Sequence, residues 1–327
     1  MPNLPEDHPK FLRAYEQAIE GAPSPEIVKN KKGTLGAVAG SFMQSQRRLA
    51  YAHRSQKQMA YSIHKLLKKR GHNGNITVGE LMAASLTAAH LRRDIEPMTH
   101  GQAENRLKAW RALLDQAVEM GLVDRNVARD VKKPRRTRSG NEGFPAWQPE
   151  YIGAFRAYWP YGSEQRLLME LTYWTAARRG DVSCFGPGDL TADGWISFVQ
   201  QKTQGTVEVP FRALPPGWEA LAEDHAHVLS ALAHADGRRT WVVDADGQPR
   251  NARTMTGFFK RSIDAVPGLA GLGLGFHGLR KARARMLIEL GWETARIAAW
   301  TGHQTLQEVD HYSRSRSKRR LLIGTSE

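Results

Sequence analysis

The sequence carries a single cysteine, Cys184, in 327 residues. One thiol excludes an internal disulfide and a cysteine-based zinc site, which fits a reducing compartment. Its expected place is that of a small buried apolar side chain. No apolar run approaches the roughly 20 residues needed to span a bilayer, so no membrane partner is expected. The opening residues, MPNLPEDHPKFLRAYE, are acidic and polar where a secretory leader is basic and then apolar, and the expectation is a cytoplasmic protein. Internal repeats and long low-complexity segments are missing too, so the chain reads as packed domains. Acidic residues are the scarcer charge, 33 Asp and Glu against 47 Lys and Arg, a formal net charge of +14. The excess points to a polyanionic partner, because cations that neutralise phosphates release condensed counterions. It leaves the chemistry open, since ribosomal proteins, membrane-surface proteins and many nucleases share it.

What is present fits two domains, with 41% hydrophobic residues to build their cores. Phe11, Tyr15 and Ile19 recur at helical spacing within residues 5–20, so residues 1–33 read as an N-terminal helix and linker. Four helical patterns follow over residues 34–131. The first aligns Leu35, Val38 and Phe42; the second aligns Met59, Ile63, Leu66 and Leu67 before Gly71; the third opens on Thr77 and Glu80 at capping-box spacing; the fourth aligns Leu107, Trp110, Leu114 and Ala117 before Gly121. Arg54, Lys57, Lys65, Lys68, Lys69 and Arg70 load the second pattern with positive charge. Residues 132–143, KKPRRTRSGNEG, contain nothing apolar and read as a flexible basic linker.

From residue 144 to 327 the pattern becomes mixed. RLLMELTYWTAA reads as a buried helix, GWISFVQQKTQGTVEVPF as two strands around a polar turn, TWVVD as a further short strand, and GFFKRSIDAV as a helix. Phe276 to about Ser313 reads as mostly helical, ahead of a basic tail. The histidines of EDHAHVLSALAH, His225, His227 and His234, have no cysteine or tight carboxylate set beside them and read as exposed helix residues, as does His311.

Four segments of this second half carry residues suited to phosphoryl chemistry. An enzyme that breaks a phosphodiester without metal needs a nucleophile, cations for the nonbridging oxygens and a proton donor for the leaving oxygen. Arginine suits the cationic task because its planar fork binds phosphate bidentately and stays charged. TAARRGDV supplies Arg178 and Asp181, QKTQG supplies Lys202, HGLR supplies His277 and Arg280, and TGHQTLQEVDHYSR supplies His303 and Tyr312. Taken singly, each has an ordinary structural reading: Asp181 a helix-surface salt bridge, His277 and Arg280 a pair on one helical face, Arg179 a surface residue or a contact to a DNA backbone.

Together, in this order and spacing, the segments resemble the tyrosine recombinase and phage integrase family, with a catalytic domain of the lambda-integrase kind. GLVDRNVARDVKKP, at the end of the helical half, also resembles the family's core-binding domain. The resemblance implies a mostly α fold with a small antiparallel β-sheet: an N-terminal helical core-binding (SAM-like) bundle, then a C-terminal α+β catalytic domain. It implies site-specific recombination of double-stranded DNA, in which Tyr312 attacks to form a 3′-phosphotyrosyl bond. Arg178 and Arg280 would clamp the scissile phosphate, Lys202 would protonate the 5′ oxygen, His277 would assist as acid or base, and His303 would hydrogen-bond the phosphate. Asp181 would orient an arginine or its helix. No cofactor is implied. The implied partners are paired DNA sites, a homotetramer assembled on them and accessory DNA-bending proteins, in a nucleoid-associated protein of a phage or mobile element.

Three departures from the family pattern stand out. Ala176 stands where the first box usually has glycine, Val127 replaces a usual proline, and about thirty residues precede the bundle, too few for an extra β-rich arm-binding domain. This member is expected either to lack that domain or to be truncated. Two alternatives are a type IB topoisomerase that relaxes supercoils and a DNA-binding regulator without catalysis. An intact Tyr312 beside all its partners argues against the regulator.

Overall fold

The computed structural model describes residues 31–70, 74, 76–135, 144–235, 238–305, 307 and 309. The helix expected within residues 5–20, Gly71, residues 136–143 of the linker, His311, Tyr312 and the basic tail lie outside the described residues. The chain divides into two compact units, one within residues 31–135 and one within residues 144–309.

The first unit is helical. Thr34 caps helix α1 (Leu35–Gln44) by accepting from the Ala37 N–H, and Leu35, Val38 and Phe42 are buried as their spacing implies. After a single turn, α2 (Gln46–Leu49), comes α3 (His53–Leu67), which buries Ile63 and Leu66. The third expected helix is not there. The Thr77–Glu80 capping box forms, but it opens only the 3-10 turn Val78–Glu80. The backbone beyond it is diverted into pairing with the start of α1: Leu81 O accepts from Leu35 N and Ala83 N donates to Gly33 O, both at 2.9 Å. The real third helix, α4 (Ala88–Ile95), starts one cap later, at Thr87. Helix α5 (His100–Glu119) packs against α1 and α3 and buries Leu107, Trp110, Leu113, Leu114 and Ala117 at the centre of the core.

The second unit is built around α7 (Glu164–Thr175), which follows α6 (Pro149–Tyr158) and is buried from Arg166 through Thr175. A single turn, α8 (Arg179–Val182), leads to a two-stranded antiparallel hairpin of β1 (Trp195–Val199) and β2 (Thr206–Pro210), the one sheet among the described residues. Its register pairs Ile196 with Val209 and Phe198 with Val207, four inward side chains that give one face to the core. Then come α9 (Ala222–Leu232), α10 (Ala252–Asp264), α11 (Phe276–Glu289) and α12 (Thr294–Thr301); α9 and α11 cover α7.

Three expectations are corrected in this unit. TWVVD is not a strand. Val243 makes one isolated bridge to Pro249, the Trp241 N–H goes to Phe185 O, and the Asp244 carboxylate folds the chain into a turn by accepting from Asp246 N and Gln248 N. His225 is buried, with Nε2 2.7 Å from Phe211 O and its ring 5.1 Å from that of Trp174. Cys184 is exposed, because Val182 and Phe185 take the inward positions after the single turn of α8. Among the described residues no cluster of His, Cys, Asp and Glu could hold a metal ion. Nor is any described helix long and apolar enough to cross a membrane.

The core of this unit also holds charge. Glu170 accepts from Arg166 Nε at 2.6 Å and from Arg156 Nε and Nη2 at 2.9 Å; Asp224 accepts from Arg156 at 2.8 Å and pairs with Arg283 at 3.1 Å. Arg283 is fully buried over the Tyr173 ring. Three guanidiniums against two carboxylates tie α6, α7, α9 and α11 together.

Candidate active site

Four segments of the second unit converge, and the local backbone explains how each delivers its side chain. Helix α7 ends at Thr175, whose hydroxyl accepts from the Ala177 N–H, and Ala176 adopts a left-handed conformation with φ at 50°. That is where a glycine would sit without strain, so alanine at this position carries a backbone cost of about 1 kcal/mol. The reversal turns the Ala176 carbonyl toward Arg280, whose Nη1 donates to it at 2.7 Å, and places Arg178 at the head of α8. The two arginines are therefore joined through one turn of backbone.

Lys202 is exposed at the tip of the β1–β2 hairpin, and both of its neighbours are held. The Gln201 N–H donates to Asp181 Oδ1 at 2.9 Å. The Thr203 carbonyl accepts from Gln304 Nε2 at 2.9 Å, and the Thr203 hydroxyl lies 3.4 Å from Arg178 Nη1. The bond that Asp181 makes is thus to the hairpin that carries Lys202, where an arginine or helix had been expected. Arg179 turns away and bonds the Thr256 hydroxyl on α10.

His277 and Arg280 lie one turn apart on α11. Gly278 between them is required, because a Cβ there would come within 2.3 Å of Pro145 O and 2.9 Å of the Trp147 ring. The Phe144 ring meets His277 edge-on at 5.9 Å, and Lys281 donates to Phe144 O at 2.7 Å. His303 follows the left-handed Gly302 at the end of α12, with Nδ1 2.5 Å from the Thr301 hydroxyl. That hydroxyl has one proton and also lies 2.7 Å from Ile297 O, which can only accept. The proton therefore goes to Ile297, and His303 Nδ1 must be the donor to Thr301. In the neutral ring Nε2 then carries a lone pair.

The electrostatics record the convergence. Desolvation lowers His303 to about 3, helped by the charges of Arg280 and Arg178 and by His277. His277, which keeps an exposed edge, is also held below its ordinary value, by desolvation first and then by Lys281, Arg280, Arg178 and Lys202. Both rings are neutral at pH 7. Arg178, Lys202, His277, Arg280 and His303 thus act on one another within a single cationic patch, and the nearby Asp181 carboxylate is buried against the hairpin. Such a patch suits an anion with several oxygens, and a phosphate diester is the obvious fit. Tyr312 lies outside the described residues. Sequence reasoning missed Gln200, Thr203, Thr301 and Lys281, because polar residues at strand ends, in turns and on helices carry no motif of their own.

Comparisons with known proteins bear on the family and the fold. Residues 150–319 match the model of the phage integrase family. Tyrosine recombinase XerC 2 of Ralstonia nicotianae is 29% identical over 161 residues, 47% of this chain and 43% of that protein. Tyrosine recombinase XerC of a Mycobacterium species is 28% identical over 157 residues, 47% of this chain and 50% of that protein. The chain thus spans about half the length of these curated relatives. Among solved structures, a lambda integrase tetramer bound to a Holliday junction superposes with a TM-score of 0.72 at 17% identity, covering 96% of this chain and 89% of that one. The Tn1549 transposon integrase in complex with transposon right end DNA gives 0.66 at 11% identity, covering 89% and 98%. Both share the fold.

Proposed function

The chain belongs to the phage integrase family, and on that premise we propose that it is a tyrosine recombinase, which cuts and rejoins DNA strands at specific sites through Tyr312. The observation that carries the reading is the delivery of Arg178, Lys202, His277, Arg280 and His303 from four segments to one cationic patch, with the Asp181 carboxylate bonded to the hairpin backbone.

In the proposed reaction the Tyr312 oxygen attacks the phosphorus of the scissile diester. Arg178 and Arg280 take the charge that develops on the nonbridging oxygens, held in mutual register through the Ala176 carbonyl. The bond to the 5′ oxygen breaks, and Lys202 supplies the proton to that oxygen while Tyr312 becomes a 3′-phosphotyrosyl ester. The ester keeps the energy of the broken bond, so rejoining by a 5′ hydroxyl needs neither ATP nor metal. His277 is neutral and can accept the tyrosine proton. His303 can donate to a phosphate oxygen only after Nε2 takes up a proton, which an incoming anion favours by offsetting Arg178 and Arg280. Asp181 acts through the hairpin, holding the backbone beside Lys202.

Residues 34–131 are proposed as the second jaw of a clamp on double-stranded DNA, with the basic linker 132–143 following the phosphates. Exchange between two duplexes needs four cuts and hence four tyrosines, so the working assembly is a homotetramer on paired sites. DNA-bending accessory proteins and a mobile-element setting in the nucleoid belong to the same proposal.

The test uses a nicked duplex whose short cleaved end diffuses away. Wild type should accumulate a protein–DNA adduct that survives denaturant, and Tyr312→Phe, which loses one hydroxyl and almost no volume, should bind the DNA but form none. An adduct in Tyr312→Phe, or one that maps to another residue, overturns the assignment.

A further inference from the structure

Gln200 is a fully polar side chain buried at the end of β1, with 1% of its surface exposed. It has no place in the reaction just described, yet it touches both segments that flank the patch. Its Nε2 lies 3.2 Å from the Thr301 carbonyl, and its Oε1 lies 2.5 Å from the Thr203 hydroxyl. The amide orientation follows from the partners: a carbonyl can only accept, so the NH₂ faces Thr301 and the oxygen faces Thr203. The Thr203 hydroxyl then has only one way to bond. Arg178 Nη1, 3.4 Å away, can only donate, so the Thr203 proton goes to Gln200 and its lone pair faces Arg178. The result is a one-way chain, Arg178 to Thr203 to Gln200 to the Thr301 carbonyl, and Thr301 in turn accepts from His303.

Two further contacts make the chain stiff. Gln304, next to His303, donates to the Thr203 carbonyl at 2.9 Å. Gly302 lies so close that a Cβ there would meet Gln200 Nε2 at 2.3 Å and Val207 at 2.4 Å. The backbone on both sides of Lys202 is thereby fastened, through Gln201 to Asp181 and through Thr203 to Gln200 and Gln304.

We infer that Gln200 and Thr203 are positioning residues that lock the Lys202 hairpin to the His303 segment, so that the proton donor is held in place relative to the phosphate-binding groups. The inference rests on the reading of Lys202 as the proton donor. An exposed hairpin tip with a long flexible side chain samples many positions unless its backbone is fixed, and misplacing a reacting group by about 1 Å costs on the order of 100-fold in rate. No atom of Gln200 or Thr203 needs to touch the DNA for this effect.

The experiment compares single-turnover adduct formation at saturating DNA on two nicked duplexes, one ordinary and one with sulfur in place of the 5′ bridging oxygen at the cut. A thiolate leaves without protonation, so the sulfur duplex bypasses the proton donor. Thr203→Val, nearly the same shape without the hydroxyl, and Gln200→Met should each slow the ordinary duplex by roughly 10- to 100-fold. Both should recover most of the wild-type rate on the sulfur duplex, as Lys202→Ala should, and Thr203→Ser should behave as wild type on both. Variants as fast as wild type on the ordinary duplex overturn the lock, and so does an equal slowing on the two duplexes, which marks general damage to the site. Thr203 is only half-buried, so its variant keeps the test intact if Gln200→Met fails to fold. A wild type that forms no adduct on either duplex overturns the recombinase reading itself, and the catalytic role of the lock with it.

Discussion

Arg178 and Arg280 reach the same patch by opposite routes. Arg280 is almost fully buried and held by the Ala176 carbonyl, whereas Arg178 is half-exposed at the head of α8. Arg280→Lys keeps the charge but loses the fork that serves the carbonyl and a phosphate oxygen together. Adduct formation should fall by about 10²- to 10³-fold while DNA binding persists, as measured by single-turnover gels and a filter assay. The two histidines contribute to the acid behaviour, beside His64, His227 and the carboxylates of Glu104 and Asp224, which are also held below their ordinary values. Each native imidazole has a pKa below the ordinary 6.5, so as pH falls the unfolded chain takes up protons before the native one does. Stability should therefore decline from about pH 6.5 toward the native value of about 3 for His303, and His303→Gln should flatten that decline in melting curves. Bound phosphate reverses the Coulombic cause, so DNA affinity should rise as pH falls from 7 toward 6. An affinity flat with pH at constant ionic strength would contradict it.

Among the elements, α7 is the one on which the second unit depends. Its buried residues include two charges, Arg166 and Glu170, and Glu170 accepts from two guanidiniums. Glu170→Gln leaves the buried Arg166 without its carboxylate and Arg156 with Asp224 alone, which typically costs about 3–5 kcal/mol, and thermal melting should show it as a large drop in midpoint. The hairpin is the other decisive element. Its two strands bury one face, but its turn is tied by polar groups to α8 and to the end of α12, which is why the backbone at a tip that faces solvent can still be held in place. Gly302→Ala would press a methyl into Gln200 and Val207 and strain a left-handed backbone. A loss of roughly 2–5 kcal/mol is expected from the two effects, read by denaturant unfolding.

For the whole molecule the governing quantity is the net charge of +14. DNA affinity should fall steeply with salt, with a log–log slope of about −0.9 for each phosphate neutralised. Removing residues 1–143 should weaken specific binding and make the slope shallower, because one cationic jaw and its linker are gone. A fragment with the affinity and slope of the full chain would show that the second unit binds alone.

The amino-acid sequence by itself determined the class of the fold, the helical first half, the hairpin and which side chains are candidates for the cationic patch. Those depend on local spacing: apolar residues every third or fourth position, strand alternation around QKTQG, and motifs short enough to read in place. Tertiary structure decided what depends on distant backbone. The capping box at Thr77 is intact, yet it starts only a turn, because the following backbone bonds to Gly33 and Leu35 instead. TWVVD has strand composition but among the described residues bonds to a turn at Phe185 and an isolated bridge at Pro249, and Cys184 and His225 exchange their expected exposures because the short α8 and the packing of Trp174 set which way they face. Asp181 holding the hairpin, the lone pair on His303 Nε2 and the Gln200 chain arise from hydrogen bonds between residues up to about a hundred positions apart. A hydrogen bond has a direction and a partner, and neither is written in the spacing of one segment.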